Sequence, residues 1–199
     1  MVPVRLTGSR LAIREYHHTP GDVDALHALF GDPEVTRYLP FDPWDRETCA
    51  DQIELYLEEA LARERRTYQL AVTRREDAED PADATPIAHA SLTLGTGRCA
   101  ELGYAVGRGA RGRGHAGEIV GLLCGLAFGA LGLRRLTARV DVDNRASAAV
   151  LTRLGFRAQG PVRHDPPGGG VRSGAHRYAL TTGEWAGPAG RRTRPTRLG

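Results

Sequence analysis

Residues Tyr104–Glu118 read YAVGRGARGRGHAGE, and this stretch decides the fold. Leu102, Tyr104 and Val106 alternate with Glu101, Gly103 and Ala105, so a two-faced strand runs into it. Glycines at 107, 109, 112 and 114 then make a turn, and a helix begins near His115. Glycine adopts positive φ and lets a ligand approach the backbone closely. The first amides of a helix have no internal partner, and the helix dipole favours an anion there. Arg111 and Arg113 add cationic donors. Together these features predict a phosphate or pyrophosphate seat over residues 111–116. The Gly-Lys-Ser/Thr ending of a Walker loop is missing. A GxGxxG pattern fits Gly107–Gly112 or Gly112–Gly117, but neither is followed by an acidic residue ending a second parallel strand, so a dinucleotide fold is unsupported.

Outward from that stretch, Ile119, Leu122, Leu123, Leu126 and Ala130 form the apolar stripe of the following helix. Leu136, Ala138 and Val140 alternate on a strand. A short helix over about Asn144–Leu154 ends at Gly155, Phe156 opens another strand, and His176, Tyr178 and Leu180 mark the last. On the N-terminal side, Ile87–Leu94 and Tyr68, Leu70 and Val72 read as strands, with a polar surface loop, Arg74–Pro86, between them. Thr19-Pro20 starts one helix. Asp45 caps another, in which Ile53, Leu57 and Leu61 recur every four residues. Leu11 and Ile13 lie on a first strand. The order β-α-α-β-β-β-α-β-α-β-β predicts an α+β fold around a mixed sheet.

The 199 residues, 41% hydrophobic and 26% charged, suit one globular domain and exclude disorder over the whole length. No apolar run approaches the roughly 20 residues of a membrane helix, and Met1–Glu15 lacks the apolar segment of a signal peptide. A cytoplasmic address, with no membrane partner, is expected. Cys49, Cys99 and Cys124 form no CxxC pair, and the histidines show no metal-binding spacing, so neither a disulfide framework nor a metal is expected. Net charge is +3, and all 27 basic residues are arginine. From Gly187 the chain reads GPAGRRTRPTRLG, a basic solvated tail. Its four arginines lack a helical pattern, and nucleic acid is not expected as a partner.

Arg111-Gly112-Arg113-Gly114-His115-Ala116 resembles the (Gln/Arg)-x-x-Gly-x-(Gly/Ala) motif of the GNAT N-acetyltransferases. Glu101-Leu102-Gly103-Tyr104, Glu118, Asn144-Arg145-Ala146-Ser147 and Leu154-Gly155-Phe156 are similar to the branch that acetylates ribosomal-protein N-termini. So are Asp32–Pro40 and Glu184-Trp185. The resemblance implies one domain over residues 1–186, with a tail over 187–199. It implies a mixed, mostly antiparallel seven-stranded sheet flanked by about four helices. It also implies acetyl-CoA as cosubstrate and transfer to a primary amine, with a protein or ribosomal substrate among the acceptors, by a monomer or homodimer.

Acyl transfer from a thioester to an amine needs a neutral amine, a stabilised oxyanion and a proton for the departing thiolate. By resemblance, the main chain of Tyr104, Ala105 and Val106 lies along the pantetheine arm, with Val106 N–H facing the thioester oxygen. Arg111, Gly112, Arg113, Gly114, His115 and Ala116 cradle the pyrophosphate, and Asn144 binds the helix-side edge of the cosubstrate. Glu101 is a candidate base, because its face is shared by Gly103 and Ala105, which leave room for a ligand; a strand carboxylate paired with a neighbour is the other reading. His164 and Asp165 are further candidates. Where many members of the family carry a tyrosine acid, this chain has Leu151. Ser147 is then the candidate acid, or a plain first-turn serine. Without the tyrosine, a non-catalytic CoA-binding module is a second reading. Acyl transfer on an RNA- or ribosome-associated target is a third. The acceptor pocket is expected from the N-terminal helices and the 161–173 loop, with Tyr38, Phe41, Trp44, Arg163, His164 and Asp165.

Overall fold

Residues 3–162 and 174–187 are described by the computed structural model. The elements are β1 (Arg5–Thr7), β2 (Leu11–Glu15), α1 (Pro20–Phe30), α2 (Pro33–Thr36), α3 (Arg46–Leu61), β3 (Thr67–Arg74), β4 (Ala88–Leu94), β5 (Cys99–Val106), α4 (His115–Cys124), β6 (Arg135–Asp141), α5 (Arg145–Arg153), β7 (Arg157–Val162) and β8 (Ala175–Thr181). Among the described residues the strands make one sheet in the order β1-β2-β3-β4-β5-β6-β8-β7. Every pairing is antiparallel except β5 with β6.

The sequence expectation of seven strands and about four helices is corrected to eight strands and five α-helices among the described residues. The added strand, β1, has three residues and pairs with β2 across Gly8, too short a run for alternation to register. The added helix, α2, is a single turn capped by Asp32, whose side chain accepts from Glu34 N–H at 2.9 Å.

Local signals set the other helix starts. Thr19 Oγ1 accepts from Asp22 N–H, Asp45 Oδ1 from Thr48 N–H, and Asn144 Oδ1 from Ser147 N–H. Gly155, at φ +91°, ends α5. The expected stripe of α3 drifts off its face: Ile53 is fully buried, but Leu61 is 82% exposed. Four residues turn a helix by about 400°, so each i+4 step moves the stripe by about 40°. The helix buries Cys49, Ile53 and Tyr56 instead. The helix that opens at His115 is α-helical to Cys124 and π-wound over Gly125–Ala130.

Strand alternation sorts the side chains into two layers. The row Leu70, Ala90, Tyr104 faces the core that includes α4 and α5. The row Ala71, His89, Ala105 faces the smaller core of α1 and α3.

The sheet opens between β5 and β6. Their parallel ladder holds only Cys99–Arg135, Ala100–Leu136 and Glu101–Thr137. Gly107 N–H donates to Ile87 O and Gly95 N–H to Cys99 O, so odd-numbered residues of β5 aim their main-chain groups at β4. Ala100 O accepts from Thr137 Oγ1, on the opposite edge. By the same alternation, the main-chain groups of Leu102, Tyr104 and Val106 face the opening.

Glu118 ties the first hairpin to the start of α4. Its Oε1 accepts from Arg10 N–H at 2.7 Å and Leu11 N–H at 3.0 Å, and its Oε2 from Arg10 Nε at 3.0 Å. A Cβ on Gly8 would run into Glu118 Oε1, so a side chain here would push the carboxylate out of its clamp. Burial opposes ionisation of Glu118, but these donors outweigh it and hold the carboxyl below its ordinary pKa. The unfolded chain therefore takes up this proton first as pH falls. The stabilisation is fully present above about pH 4.3 and is lost as pH drops through the lower folded value. We expect Glu118→Gln to cost about 1.5–3 kcal/mol at pH 7, the range for hydrogen bonds to charged groups. Urea unfolding at pH 7 and pH 3 checks this; a difference between wild type and variant that does not shrink at pH 3 would rule out the ionised clamp.

Candidate active site

The loop after β5 has the form read from the sequence. Gly112 and Gly114 sit at φ +76° and +78°, conformations that side chains other than glycine rarely adopt. A Cβ on Gly109 or Gly112 would meet nothing within 4 Å, so the loop has an open face. Gly114 is the N-cap of α4, and Glu118 N–H is bonded to Gly114 O, which leaves the amides of the first turn without intrahelical acceptors. Arg111, Gly112, Arg113 and Gly114 are exposed, and Ala116 is half-buried. These free amides, the open loop and the clustered arginines fit a polyphosphate.

The arginines of this loop divide their work. Arg111 Nε donates to Val106 O at 3.0 Å and Arg111 Nη2 to Glu34 O at 3.2 Å, so its fork braces the loop as well as charging it. Arg10 was not singled out by sequence reasoning. Its Nη1 donates to Arg113 O at 2.7 Å, and its Nη2 lies 3.5 Å from the place a Cβ on Gly114 would take. The His115 ring is buried, and its Nδ1 has no partner among the described residues.

A cavity of about 390 Å³ lies on the α1/α3 face of the sheet. Its sheet side carries Gln69, His89, Ser91, Glu101, Gly103, Ala105, Arg139 and Asp141; its other wall carries Phe30, Tyr38, Phe41, Trp44 and Tyr56. Phe41 stacks on Trp44 at 4.5 Å between ring centroids, and Phe30 meets both edge-on. A Cβ on Gly103 would come within 2.7 Å of Ser91 Oγ, so glycine here makes room for the serine hydroxyl. Three expected lining residues, Tyr38, Phe41 and Trp44, do line it. Arg163, His164 and Asp165 lie outside the described residues, as do 188–199 of the expected tail.

Glu101 lies on the face expected from alternation, with no irregularity in the β4–β5 register to turn it away. Its Oε1 accepts from Arg139 Nε at 2.8 Å. Arg139, missed in the sequence, alternates with Ala138 and Val140 on β6; that signal places it on a face but names no partner. His89 lines the same cavity, yet Tyr16 Oη lies 3.1 Å from its Nδ1 and Gln69 Oε1 3.1 Å from its Nε2. The amide oxygen can only accept, so Nε2 carries the proton and Tyr16 donates to Nδ1. Burial pushes the pKa of His89 down to about 3. The ring is a neutral strut with both nitrogens engaged.

On the other face of β5, Tyr104 Oη lies 2.6 Å from Ser147 Oγ. Ser147 N–H is held by Asn144 Oδ1 at 3.1 Å. Leu151 is fully buried in the main core. Among the described residues no group of three or more His, Cys, Asp or Glu could hold a metal ion, and no helix is long and apolar enough to cross a membrane.

The mixed sheet parts beside a glycine loop that opens a helix. The acetyltransferase (GNAT) domain profile matches residues 10–157, and the chain belongs to that family. It is an N-acetyltransferase, an enzyme of acetyl transfer to an amine. It is 32% identical over 164 residues to the uncharacterized N-acetyltransferase YoaA of Bacillus subtilis strain 168, covering 82% of this chain and 88% of that one. Its fold is similar to Mycobacterium smegmatis RimJ in complex with CoA-disulfide, with a TM-score of 0.72 at 20% identity over 92% of this chain and 87% of that one. It is also similar to the spermidine N-acetyltransferase of Vibrio cholerae in complex with CoA and spermine, with a TM-score of 0.72 at 18% identity over 89% and 98%.

The neutral strut has a pH signature. The unfolded chain protonates His89 near pH 6.5, the folded ring only near 3, so the unfolded state binds more protons in between and stability falls as pH drops through that window. We expect the urea midpoint of the wild type to fall from pH 7 to pH 5, and His89→Asn to lose part of that slope. Equal slopes would show that the ring is not held neutral.

Proposed function

We propose that this enzyme carries the acetyl group of acetyl-CoA to a primary amine seated in the aromatic-walled cavity, the amine being a protein N-terminus or a small-molecule amine. One observation carries the reading: the opening of the sheet, the glycine loop and the cavity all border β5. The main chain of Tyr104, Ala105 and Val106 then flanks the pantetheine arm, and the opening-facing N–H of Val106 is the donor for the thioester oxygen. The loop and first-turn amides of Arg111, Gly112, Arg113, Gly114, His115 and Ala116 seat the pyrophosphate, with Arg10 as an added cation. Asn144, the N-cap of α5, is proposed to hold the helix-side edge of the cosubstrate. When bound, acetyl-CoA supplies the activated acetyl group.

Glu101 is the group proposed to take the proton from the amine, directly or through water, with Arg139 fixing the carboxylate over Gly103. It lines the cavity, where His89 is neutral with both ring nitrogens engaged. Ser147 is proposed to face the departing sulfur. CoA in the RimJ and spermidine-enzyme structures supports the choice of cosubstrate. For the acceptor, the ribosomal-protein branch and the spermidine enzyme give two classes to compare.

Thiol release from acetyl-CoA, measured with a panel of free-N-terminus peptides and polyamines, tests this reading. Release that depends on one acceptor class is expected. Glu101→Gln should lower kcat by about 10²-fold or more and flatten the acidic limb of the pH–rate profile, with acetyl-CoA affinity unchanged. Gly114→Asp should weaken CoA binding by more than about tenfold, or about 1.4 kcal/mol. An unchanged pH profile would remove Glu101 as the base, and unchanged CoA affinity in folded Gly114→Asp would remove the phosphate seat.

A further inference from the structure

We infer that Tyr104 is the proton source behind Ser147: the two hydroxyls form a relay in which the phenol supplies, through the serine, the proton that the leaving thiolate takes up. This rests on the proposed role of Ser147 beside the departing sulfur.

A serine hydroxyl is a poor acid by itself. An aliphatic hydroxyl holds its proton about as tightly as water does, far more tightly than a thiol, whose pKa is about 8.5. Protonation by serine alone would leave an alkoxide many orders of magnitude uphill. A phenol, with a pKa of about 10, is far closer to the thiol. With the phenol hydrogen-bonded to the serine, the serine can pass on its proton as it receives another.

The geometry suits that exchange. Tyr104 Oη and Ser147 Oγ are 2.6 Å apart, a short contact between two hydroxyls. Either hydroxyl can donate in this contact; in the relay the phenol, the stronger acid, donates, and the serine hydrogen turns to the sulfur. Ser147 is fixed in the first turn of α5 by the bond from its N–H to Asn144 Oδ1. Tyr104 stands on the strand bordering one side of the opening, and α5 follows the strand bordering the other, so the hydroxyl contact joins elements from its two sides. Burial raises the phenol pKa, against the opposing effect of the Ser147 contact, so the proton stays on Tyr104 until it is called for. The position where relatives carry a tyrosine on this helix is Leu151, buried in the core, so no phenol comes from there.

The step balances. The amine nitrogen bonds to the acetyl carbon, the C–S bond breaks, and its electron pair goes to sulfur. Sulfur takes the Ser147 proton as Ser147 takes the Tyr104 proton, leaving a phenolate. The amine has released one proton to Glu101, which passes it to solvent, and Tyr104 recovers one from solvent as products leave.

The test compares Tyr104→Phe, Ser147→Ala and the double variant in single-turnover acetyl transfer, with melting and CoA affinity measured alongside. The relay predicts that each single variant slows the chemical step by about 10²-fold, that the double variant is no slower than either, and that CoA affinity holds. Tyr104→Phe at full rate beside a slow Ser147→Ala overturns the relay and leaves Ser147 standing, as do additive losses. A full-rate Ser147→Ala removes the serine donor, and the relay with it. A ring-difluorinated tyrosine at 104 keeps the hydroxyl and lowers its pKa, which guards against a misfolded Phe variant. The alkaline limb of the kcat profile should then move down with the phenol pKa; a limb that stays in place overturns the proposal.

Discussion

The structure depends on the parting of β5 and β6. Seven residue pairs hold β5 to β4 and seven hold β6 to β8, but three hold β5 to β6. Each strand is thus anchored to its outer neighbour, and the sheet opens along the weaker seam. An opened seam exposes main-chain donors and acceptors that must find partners. On β5 these belong to Leu102, Tyr104 and Val106, and Val106 O is already taken by Arg111. A ligand with an amide-bearing arm can complete the missing ladder on this edge. On the cavity side, Glu101 is the last residue of β5 paired with β6 before the gap.

The second constraint is the Glu118 clamp. A carboxylate inside the first turn of α4 suits the helix dipole, and it draws Arg10 and the β1–β2 turn against the glycine loop. One charge therefore does two jobs: it fixes the hairpin and holds a guanidinium against the glycine loop. Arg111 braces the loop from the other side through Glu34 O. The loop is glycine-rich, yet three elements hold it, which keeps its amides in place before any anion arrives.

What could be read in the sequence was local. Alternation through Glu101–Val106, the positive-φ glycines, and the caps at Thr19, Asp45 and Asn144 each involve residues within a few positions of one another. What could not be read was pairing between distant elements. Glu101 meets Arg139 from 38 residues away, Tyr104 meets Ser147 from 43, and Arg10 meets Glu118 from 108. The alternation of β6 places Arg139 on a face, but only the three-pair register brings it beside Glu101. Leu61 shows the opposite failure, a repeat of four mistaken for a repeat of 3.6, whereas Leu57 still packs against the smaller core. Tyr104 was read for its main chain; its hydroxyl gained a partner once α5 was laid across the opening.

The central claim is that the free edge of β5 receives the arm of the cosubstrate. Residue-resolved amide hydrogen exchange, followed with and without CoA, tests it most directly. We expect the amides of Tyr104 and Val106 to become protected together with those of residues 112–116, while the odd-numbered amides of β5, already bonded to β4, change little. Tight CoA binding with unchanged exchange at Tyr104 and Val106 would contradict it.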